Sequence, residues 1–267
     1  MFIPERFKKQ INTHLLGNML DIDDYPLILA IMGRPGMGKT RQLRIHLEQL
    51  GVDIFSVSSA ELECERDGAS AKLLKQQYIN ASVNILKKMP SVLVIDDIDT
   101  VVGEYEQNTG TVKHQGVLAF LMHISDNPYY IENVGNVNRV PIFFTGNCFE
   151  SLYEPLRRPG RTLEFEWEPE QEEKIDIIAS CLSNTADARK VAAELVDIYP
   201  NQSISFFTNF FTTQKLELLS EMASNAMLKC ILENSQYKRQ LYQKYIQDYN
   251  DIDWKDVMFL DRESRGI

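Results

Sequence analysis

A glycine-rich segment near the amino terminus carries the residue types needed to hold a phosphate group. It follows the apolar run 28–32 and reads Gly33, Arg34, Pro35, Gly36, Met37, Gly38, Lys39, Thr40, Arg41. The spacing Gly-x4-Gly-Lys-Thr is that of the phosphate-binding P-loop, whose glycines let backbone N–H groups point at phosphate oxygens. We expect Lys39 to reach the β- and γ-phosphates of a nucleotide and the Thr40 hydroxyl to hold Mg²⁺. A glycine-rich turn between a strand and a helix is the alternative.

Two further apolar runs end in polar side chains. The run 91–95 is followed by Asp96, Asp97 and Asp99, and the run 140–144 leads to Asn147. Asp96 is suited to hold Mg²⁺ through water, Asp97 to orient or deprotonate an attacking water, and Asn147 to hydrogen-bond that water and a γ-phosphate. Asp99 is interpreted as a loop-anchoring carboxylate. Helix capping by the aspartates and a tight turn at Asn147 are the structural alternatives.

A cluster of arginines precedes the next predicted strand, at Arg157, Arg158 and Arg161. Such a cluster is compatible with a solvated basic turn. It is also compatible with side chains that reach into the nucleotide site of a neighbouring subunit, because the planar guanidinium group matches phosphate oxygens. An arginine supplied in trans in this way contributes about 10³–10⁵ in rate.

The elements that must position these residues follow from the hydrophobic pattern. A helical lead-in is predicted at 3–22, strands at 26–32, 52–57, 91–96, 140–146 and 163–167, helices at 39–50, 70–88 and 114–126, and loops at 100–113 and 127–139. Strands that alternate with helices predict a parallel sheet covered on both faces. From 170 to about 248 the pattern is helical throughout. We therefore predict a helical lead-in (1–25), an α/β nucleotide-binding domain (26–167) and a helical domain (168–267).

The bulk properties limit the class of protein. A net charge of −10 argues against a nucleic-acid backbone as the principal partner, although a local basic groove stays compatible with it. The four cysteines lie far apart, without a C-x-x-C pair or metal-binding spacing, and are interpreted as buried or free thiols of a reducing compartment. The four histidines form no metal-binding motif. No apolar leader or membrane-length run is visible. A cytoplasmic location is expected, or the plastid stroma if the chain is plastid-encoded.

The order of these parts resembles the AAA+ ATPases: P-loop, Asp-Asp strand, Thr-Gly-Asn strand, arginine cluster, helical lid. Within that superfamily, local segments of the amino-acid sequence are similar to those of the Rubisco activases. The passages that carry this similarity are 59–63, 71–78, 125–128, 139–142, 145–147, 152–156 and 202–207. The similarity extends from about residue 2 to 207. It implies an α/β P-loop NTPase (AAA+) parallel-sheet domain followed by a smaller all-helical lid domain.

The resemblance also implies roles for individual positions. The residues that would bind ATP and Mg²⁺ are Gly33, Gly36, Gly38, Lys39 and Thr40. Asp96 stands where the activases tend to carry Asn and most AAA+ proteins carry Asp, and it would share the metal with Thr40. Asp97 stands where most AAA+ proteins carry Glu, so a shorter carboxylate and modest turnover are expected. Asn147 corresponds to sensor 1.

Other implied roles concern assembly and the client. Arg158 and Arg161 correspond to the arginine fingers of a homo-oligomeric ring, expected to be a hexamer. Residues 63–68 and 103–105 match the loops that line its central pore. The activases use such rings to pull on inhibited Rubisco and release trapped sugar phosphates.

The chain departs from the activases at several places. The stretch 208–213 has no arginine where the lid arginine called sensor 2 is expected. The pore-loop stretch 64–67 is more highly charged than in the family, and Val101-Val102 replaces a small-residue run. Little similarity is found beyond residue 213. Neither the plant-type N-terminal extension nor a long C-terminal tail is recognised.

These observations favour a Mg²⁺-dependent ATPase whose subunits form a ring and remodel a protein client, with Rubisco the first client to test. The alternative is an oligomeric switch or scaffold that binds ATP with little hydrolysis. The missing lid arginine and Asp97 motivate it. A third interpretation, a DNA-associated AAA+ loader, is disfavoured by the acidic balance and by the absence of a recognisable DNA-binding appendage.

Overall fold

The computed structural model describes residues 1–62, 68–102, 112–182, 187–223, 231, 233–250 and 252. Contacts divide the chain into two compact units, Ile3–Glu168 and a second unit of Met1–Phe2 with Pro169–Ile267. Most of the helical lead-in therefore belongs to the same unit as the α/β elements. The three-part division stays a prediction.

The first unit alternates strands and helices. Its elements are α1 (Glu5–Met19), β1 (Ile28–Met32), α2 (Lys39–Gln49), β2 (Asp53–Ser58), α3 (Ser59–Leu62), α4 (Ala69–Leu86), β3 (Ser91–Asp96), α5 (Ile98–Val102), α6 (Val112–Asp126), β4 (Tyr130–Ile131), β5 (Gly135–Asn136), β6 (Ile142–Thr145), α7 (Glu154–Arg157) and β7 (Thr162–Glu166). Within the described residues of the second unit, the helices are α8 (Gln171–Cys181), α9 (Ala188–Ile198), α10 (Ile204–Met222) and α11 (Ser235–Asn250).

Five parallel strands form one sheet in the order β2-β3-β6-β1-β7. The predicted α/β fold with a parallel sheet is thereby confirmed. The strands β1 and β6 are buried at every position, as expected for a sheet covered on both faces. Because all the strands run the same way, the residues that follow β1, β3 and β6 emerge at one edge of the sheet. That edge is called the carboxyl edge below.

The two segments predicted as loops contain regular structure. Helix α5 extends to Val102 and α6 begins at Val112, while residues 103–111 lie outside the described part of the chain. The segment 127–139 contains the antiparallel pair β4 and β5, which the loop prediction missed. Two-residue strands are too short to produce an alternating pattern. Their turn includes Asn133 in a left-handed conformation (φ 64°), which asparagine tolerates.

The amino-terminal helix supports the sheet through aromatic contacts. Phe7 of α1 is fully buried, with its ring centroid 4.8 Å from that of Trp167 and 5.8 Å from that of Phe165. His14, two turns further along the same face of α1, packs edge-on against Phe143 of β6, with the ring centroids 5.0 Å apart. Helix α1 therefore fixes the end of β7, which lies next to the P-loop.

The second unit has a helical core of its own. Helix α8 begins with a capping box between Glu170 and Glu173, and the Ser203 side chain caps α10 by accepting from the N–H of Phe206. Its core includes Ile178, Leu195 and Phe207. In the part of the chain that the structure describes, no helix is long and apolar enough to cross a membrane.

Candidate nucleotide-binding site

The P-loop connects β1 to α2 and is held against the end of β7. Gly33 has φ 147°, and a Cβ placed there would lie 2.2 Å from the Trp167 carbonyl oxygen, so only glycine fits. The Trp167 backbone N–H donates to the Met32 carbonyl at 2.6 Å, and its indole N–H donates to the Met37 carbonyl at 3.0 Å. Gly38, left-handed at φ 79°, precedes the first turn of α2. The loop backbone is thus fixed at both ends.

Lys39 extends across the interior of the loop. Its Nζ donates to the carbonyl oxygens of Gly33 at 2.6 Å and Arg34 at 3.0 Å, and lies 3.4 Å from the Asn147 amide oxygen. Desolvation lowers the pKa of Lys39, and the negative charges of Asp99 and Asp97 oppose that shift. The ammonium group of Lys39 is therefore held inside the loop.

A chain of hydrogen bonds links the P-loop helix to β3 through β6. The Thr40 hydroxyl donates to the Thr145 hydroxyl oxygen at 3.0 Å, and the Thr145 hydroxyl donates to Asp96 Oδ1 at 3.1 Å. The other carboxylate oxygen of Asp96 accepts from the Arg44 guanidinium at 2.6 Å. The two residues predicted to hold Mg²⁺, Thr40 and Asp96, therefore share one intermediary, Thr145.

Asp97 follows β3 in a left-handed conformation with φ 52°. Its backbone N–H lies 3.4 Å from the Thr145 hydroxyl oxygen, and its side chain is exposed at the carboxyl edge. Desolvation and then the charges of Asp96 and Asp99 raise the pKa of Asp97, while Lys39 opposes the rise. A raised pKa makes this carboxylate a stronger base than an ordinary aspartate.

Asn147 is placed by a buried carboxylate. Its backbone N–H donates to Asp99 Oδ2 at 2.9 Å, and a Cβ at Gly146 would lie 2.9 Å from Asp99 Oδ1. Asp99 thus has the anchoring contact that was expected of it. The contact places the Asn147 amide beside Lys39.

The oxygen atoms at this edge fit a magnesium ion. Mg²⁺ in nucleotide sites is usually held by one or two protein oxygen ligands, with substrate phosphates and water completing the octahedron. The Thr40 hydroxyl and the Asp96 carboxylate are oxygen donors of that kind, joined through Thr145. Among the described residues there is no group of three or more His, Cys, Asp or Glu that could hold a metal without such help.

The predicted arginine fingers lie at the opposite end of the sheet. The Arg161 carbonyl accepts from the N–H of Ile28, the first residue of β1, whereas the P-loop follows the last. Four strand steps of about 3.3 Å separate these ends by roughly 13 Å. The Arg161 guanidinium makes a two-point contact with Asp126 at 2.6 Å and also donates to the Pro155 carbonyl at 2.7 Å. Arg158 is exposed and lies 3.5 Å from Glu154.

The remaining predicted residues are distributed as follows. The Arg34 guanidinium makes a two-point contact with Glu168 at 2.5 and 3.2 Å, and Arg41 is exposed in the first turn of α2. Pro35 is exposed and Met37 is buried. Residues 63–67 and 103–105 of the predicted pore loops lie outside the described residues.

Sequence reasoning assigned no role to Thr145 or Arg44. Thr145 ends β6, so its position between two strands that end in functional residues is the signal that identifies it. Arg44 stands four residues after Thr40, a spacing that places both side chains on one face of α2. Trp167 was predicted to lie in a strand. No sequence pattern indicates that its indole N–H would donate to the Met37 carbonyl of the P-loop.

Comparison with known proteins agrees with this geometry. Residues 29–169 match the family described as ATPase family associated with various cellular activities (AAA). The ribulose bisphosphate carboxylase/oxygenase activase of Anabaena sp. is 38% identical over 78% of this chain and 52% of that protein. The chloroplastic activases of Phaseolus vulgaris and Chlamydomonas reinhardtii are 37% and 36% identical, each over 77% of this chain, which covers 48% and 52% of their lengths.

The resemblance to the Rubisco activases is thereby confirmed. The chain spans about half the length of the curated relatives it matches. The family match covers more than half of the chain and includes β1, the P-loop, the Asp96–Asp97 pair, Asn147 and the arginine cluster. With the parallel sheet and its carboxyl-edge site, this match shows that the chain belongs to the AAA family of ATPases.

Proposed function

We propose that the chain binds ATP with Mg²⁺ and hydrolyses it. The observation that carries this proposal is the convergence of Lys39, Thr40, Asp96 and Asn147 at the carboxyl edge. Lys39 lies 3.4 Å from Asn147, and the Thr145 hydroxyl joins Thr40 to Asp96 at 3.0 and 3.1 Å. The family match supports it, because the matched residues include all four of these positions.

The proposed chemistry divides among these residues by type. The P-loop N–H groups and Lys39 bind the phosphates and offset their charge. An Asp97 carboxylate oxygen accepts a proton from the attacking water, which Asn147 orients by hydrogen bonding. The oxygen of that water bonds to the γ-phosphorus as the bond from the γ-phosphorus to the bridging oxygen breaks, which releases ADP and phosphate. Thr40 and Asp96 would hold Mg²⁺, which would supply further neutralisation of the phosphate charge.

We further propose that Arg158 and Arg161 act on the nucleotide of a neighbouring subunit in a ring, expected to be a hexamer. Their position at the end of the sheet away from the P-loop of the same chain supports action in trans. The exposure of Arg158 supports it too, because that guanidinium is accessible to a partner. Arg161 would have to release Asp126 or share it.

The proposed client is a protein that the ring remodels, with ribulose bisphosphate carboxylase/oxygenase as first candidate because the relatives' names specify it. A location in the cytoplasm or plastid stroma belongs to the same proposal. The stretch 208–213 lies within α10 and contains no arginine, so closure of the lid on a γ-phosphate would need another cation.

The proposal is tested by measuring ATP turnover against protein concentration. If a site is completed in trans, specific activity rises as subunits assemble. Mixing Lys39→Ala with Arg158→Ala subunits gives a sharper test, since some interfaces then pair an intact P-loop with an intact Arg158. Partial recovery of turnover is expected, and no recovery would contradict the role in trans.

A nucleotide-dependent switch with little hydrolysis is the second candidate. It is favoured by the absence of an arginine at 208–213, where the lid arginine is expected, and by the shorter carboxylate at Asp97. A switch binds ATP and oligomerises, yet its turnover stays near zero at every protein concentration. That outcome would replace the ATPase proposal while leaving nucleotide binding intact.

The client is tested with an Asp97→Asn variant, which is expected to retain ATP and hold its client. Inhibited ribulose bisphosphate carboxylase/oxygenase should copurify with this variant in the presence of ATP, and the unmodified protein should restore its activity. Lys39→Ala is the matched control, since its much weaker nucleotide binding should leave the client unbound. If the inhibited enzyme is neither held nor reactivated, this client is wrong and the ATPase proposal stands.

A further inference from the structure

Arg44 forms an ion pair with Asp96, the carboxylate that is expected to help hold the magnesium ion. Its guanidinium donates to Asp96 Oδ2 at 2.6 Å, while Asp96 Oδ1 accepts from the Thr145 hydroxyl at 3.1 Å. Arg44 is 36% exposed and Asp96 is 16% exposed, so the pair is only partly shielded from water. The positive charge of Arg44 therefore repels any second cation that approaches Asp96.

The surrounding charges make Arg44 the main counterion of Asp96. Asp96 ends β3, and Asp97 and Asp99 follow it within three residues, so three carboxylates lie close together at the carboxyl edge. The Lys39 ammonium group instead donates to the carbonyl oxygens of Gly33 and Arg34. The direct ion pair of Asp96 is with Arg44.

We propose that Arg44 is a positioning residue that competes with Mg²⁺ for Asp96 and thereby sets the Mg²⁺ concentration at which nucleotide binds. This inference rests on the proposed function. Each carboxylate oxygen has two lone pairs, so Arg44 and Thr145 leave acceptor sites on Asp96 for a metal-bound water. Arg44 therefore lowers the affinity for the metal without excluding it, because two cations near one carboxylate repel each other.

Removal of the charge has a defined consequence. An Arg44→Gln variant removes the positive charge that offsets the negative charge of the three carboxylates, so Mg²⁺ binds there more tightly. The half-saturating Mg²⁺ concentration for nucleotide binding falls about five-fold, the scale expected for a half-exposed charge that solvent partly screens. Arg44→Lys keeps the positive charge and is expected to stay within about two-fold of the unmodified chain.

A purely structural role for Arg44 predicts a different pattern. Loosening of Asp96 would raise the Mg²⁺ requirement, and it would do so at any ionic strength. Competition between charges is instead weakened by salt. The difference between Arg44→Gln and the unmodified protein is therefore expected to narrow at high ionic strength.

The test is calorimetric titration of the whole chain with a non-hydrolysable ATP analogue across a series of free Mg²⁺ concentrations. Arg189→Gln is the control, because it makes the same change of net charge at an ion pair of the second unit, where Arg189 contacts Asp176 at 2.8 Å. Thermal unfolding reports whether each variant is folded. If Arg44→Gln does not fold, Arg44→Leu, which keeps an apolar stem, takes its place.

A lower half-saturating Mg²⁺ concentration in the neutral variant, with Arg44→Lys and Arg189→Gln unchanged, supports the proposal. An unchanged or higher concentration in the neutral variant overturns it, while analogue binding by the unmodified protein leaves the proposed function standing. If the unmodified protein binds no analogue at any Mg²⁺ concentration, the proposed function and this inference fail together.

Discussion

The hydroxyl of Thr40 donates to the hydroxyl oxygen of Thr145 at 3.0 Å, joining the first turn of the P-loop helix to the end of a neighbouring strand. Thr145 in turn donates to Asp96, so a single buried hydroxyl spans the two expected magnesium ligands. The geometry of the site therefore depends on a residue with no expected contact to substrate.

Thr145→Val is expected to lower ATP turnover by about 10- to 100-fold, the range found when a group that orients metal ligands is lost. The substitution leaves the Thr40 hydroxyl without its acceptor and Asp96 without one donor. Thr145→Ser is the matched control, because it keeps the hydroxyl and removes only a methyl group, at a cost of about 1 kcal/mol in stability. Steady-state turnover and thermal unfolding separate the effects. Equal loss of turnover in both variants would exclude this role.

Gly33→Ala is expected to lower the free energy of unfolding by about 3 kcal/mol or more, since the added Cβ would lie 2.2 Å from the Trp167 carbonyl oxygen. Gly135→Ala controls for backbone strain. Gly135 also has a positive φ (95°), but nothing lies within 4 Å of its added Cβ, so a cost of about 1 kcal/mol is expected. Urea unfolding measures both. Similar losses would show that the contact with Trp167 does not select glycine.

Asp97→Asn is expected to lower turnover by about 10²- to 10⁴-fold through loss of the base. It should also stabilise the fold at neutral pH. The pKa of Asp97 is raised in the folded chain, so ionisation costs stability as the pH rises through that value, and asparagine does not ionise. Asparagine also tolerates the left-handed backbone.

The melting temperature of Asp97→Asn should therefore exceed that of the unmodified chain at neutral pH, and the gap should close as the pH falls below the ordinary value of 3.8. Asp23→Asn, at an exposed aspartate, controls for the change in charge. A gap that is constant with pH would contradict a raised pKa of Asp97 in the folded chain.

His14 should give the fold an acid-sensitive component. Burial lowers the pKa of His14 from 6.5 to about 3, so the unfolded chain takes up a proton that the folded chain refuses. The stability from this group is complete above pH 6.5 and is lost as the pH falls towards 3, by about 2 kcal/mol at pH 5. His14→Gln should flatten this dependence in urea unfolding. His123→Gln, at an exposed histidine, should keep it, and an unchanged slope in His14→Gln would contradict the assignment.

The sequence predicts the parallel sheet and the P-loop because both leave strong local patterns. Apolar strands such as Ile28–Met32 are buried on both faces, so they appear as continuous apolar runs. The glycines of the P-loop are needed where the backbone turns with a positive φ, and they lie within a few residues of one another. Tertiary partners leave no such pattern. The Arg44–Asp96 pair spans 52 residues and the Trp167 contact with Met37 spans 130, so only the folded sheet brings them together.

The short β4–β5 hairpin was missed for a different reason. Tyr130–Ile131 and Gly135–Asn136 are too short for a period of two to be visible, and their pairing depends on a turn. The position of the arginine cluster follows from the strand direction instead. Arg161 precedes β7, and the parallel pairing of β7 with β1 places it at the end of the sheet away from the P-loop.

The central claim is that residues 33–40 hold the triphosphate of ATP through Lys39. Calorimetric titration with a non-hydrolysable ATP analogue and Mg²⁺ tests it most directly, on the unmodified chain, Lys39→Ala and the control Lys75→Ala, whose exposed amine contacts the Glu132 carbonyl. One site per chain is expected, with affinity about 100-fold weaker in Lys39→Ala and unchanged in Lys75→Ala. No binding by the unmodified chain, or equal binding by Lys39→Ala, would contradict the account.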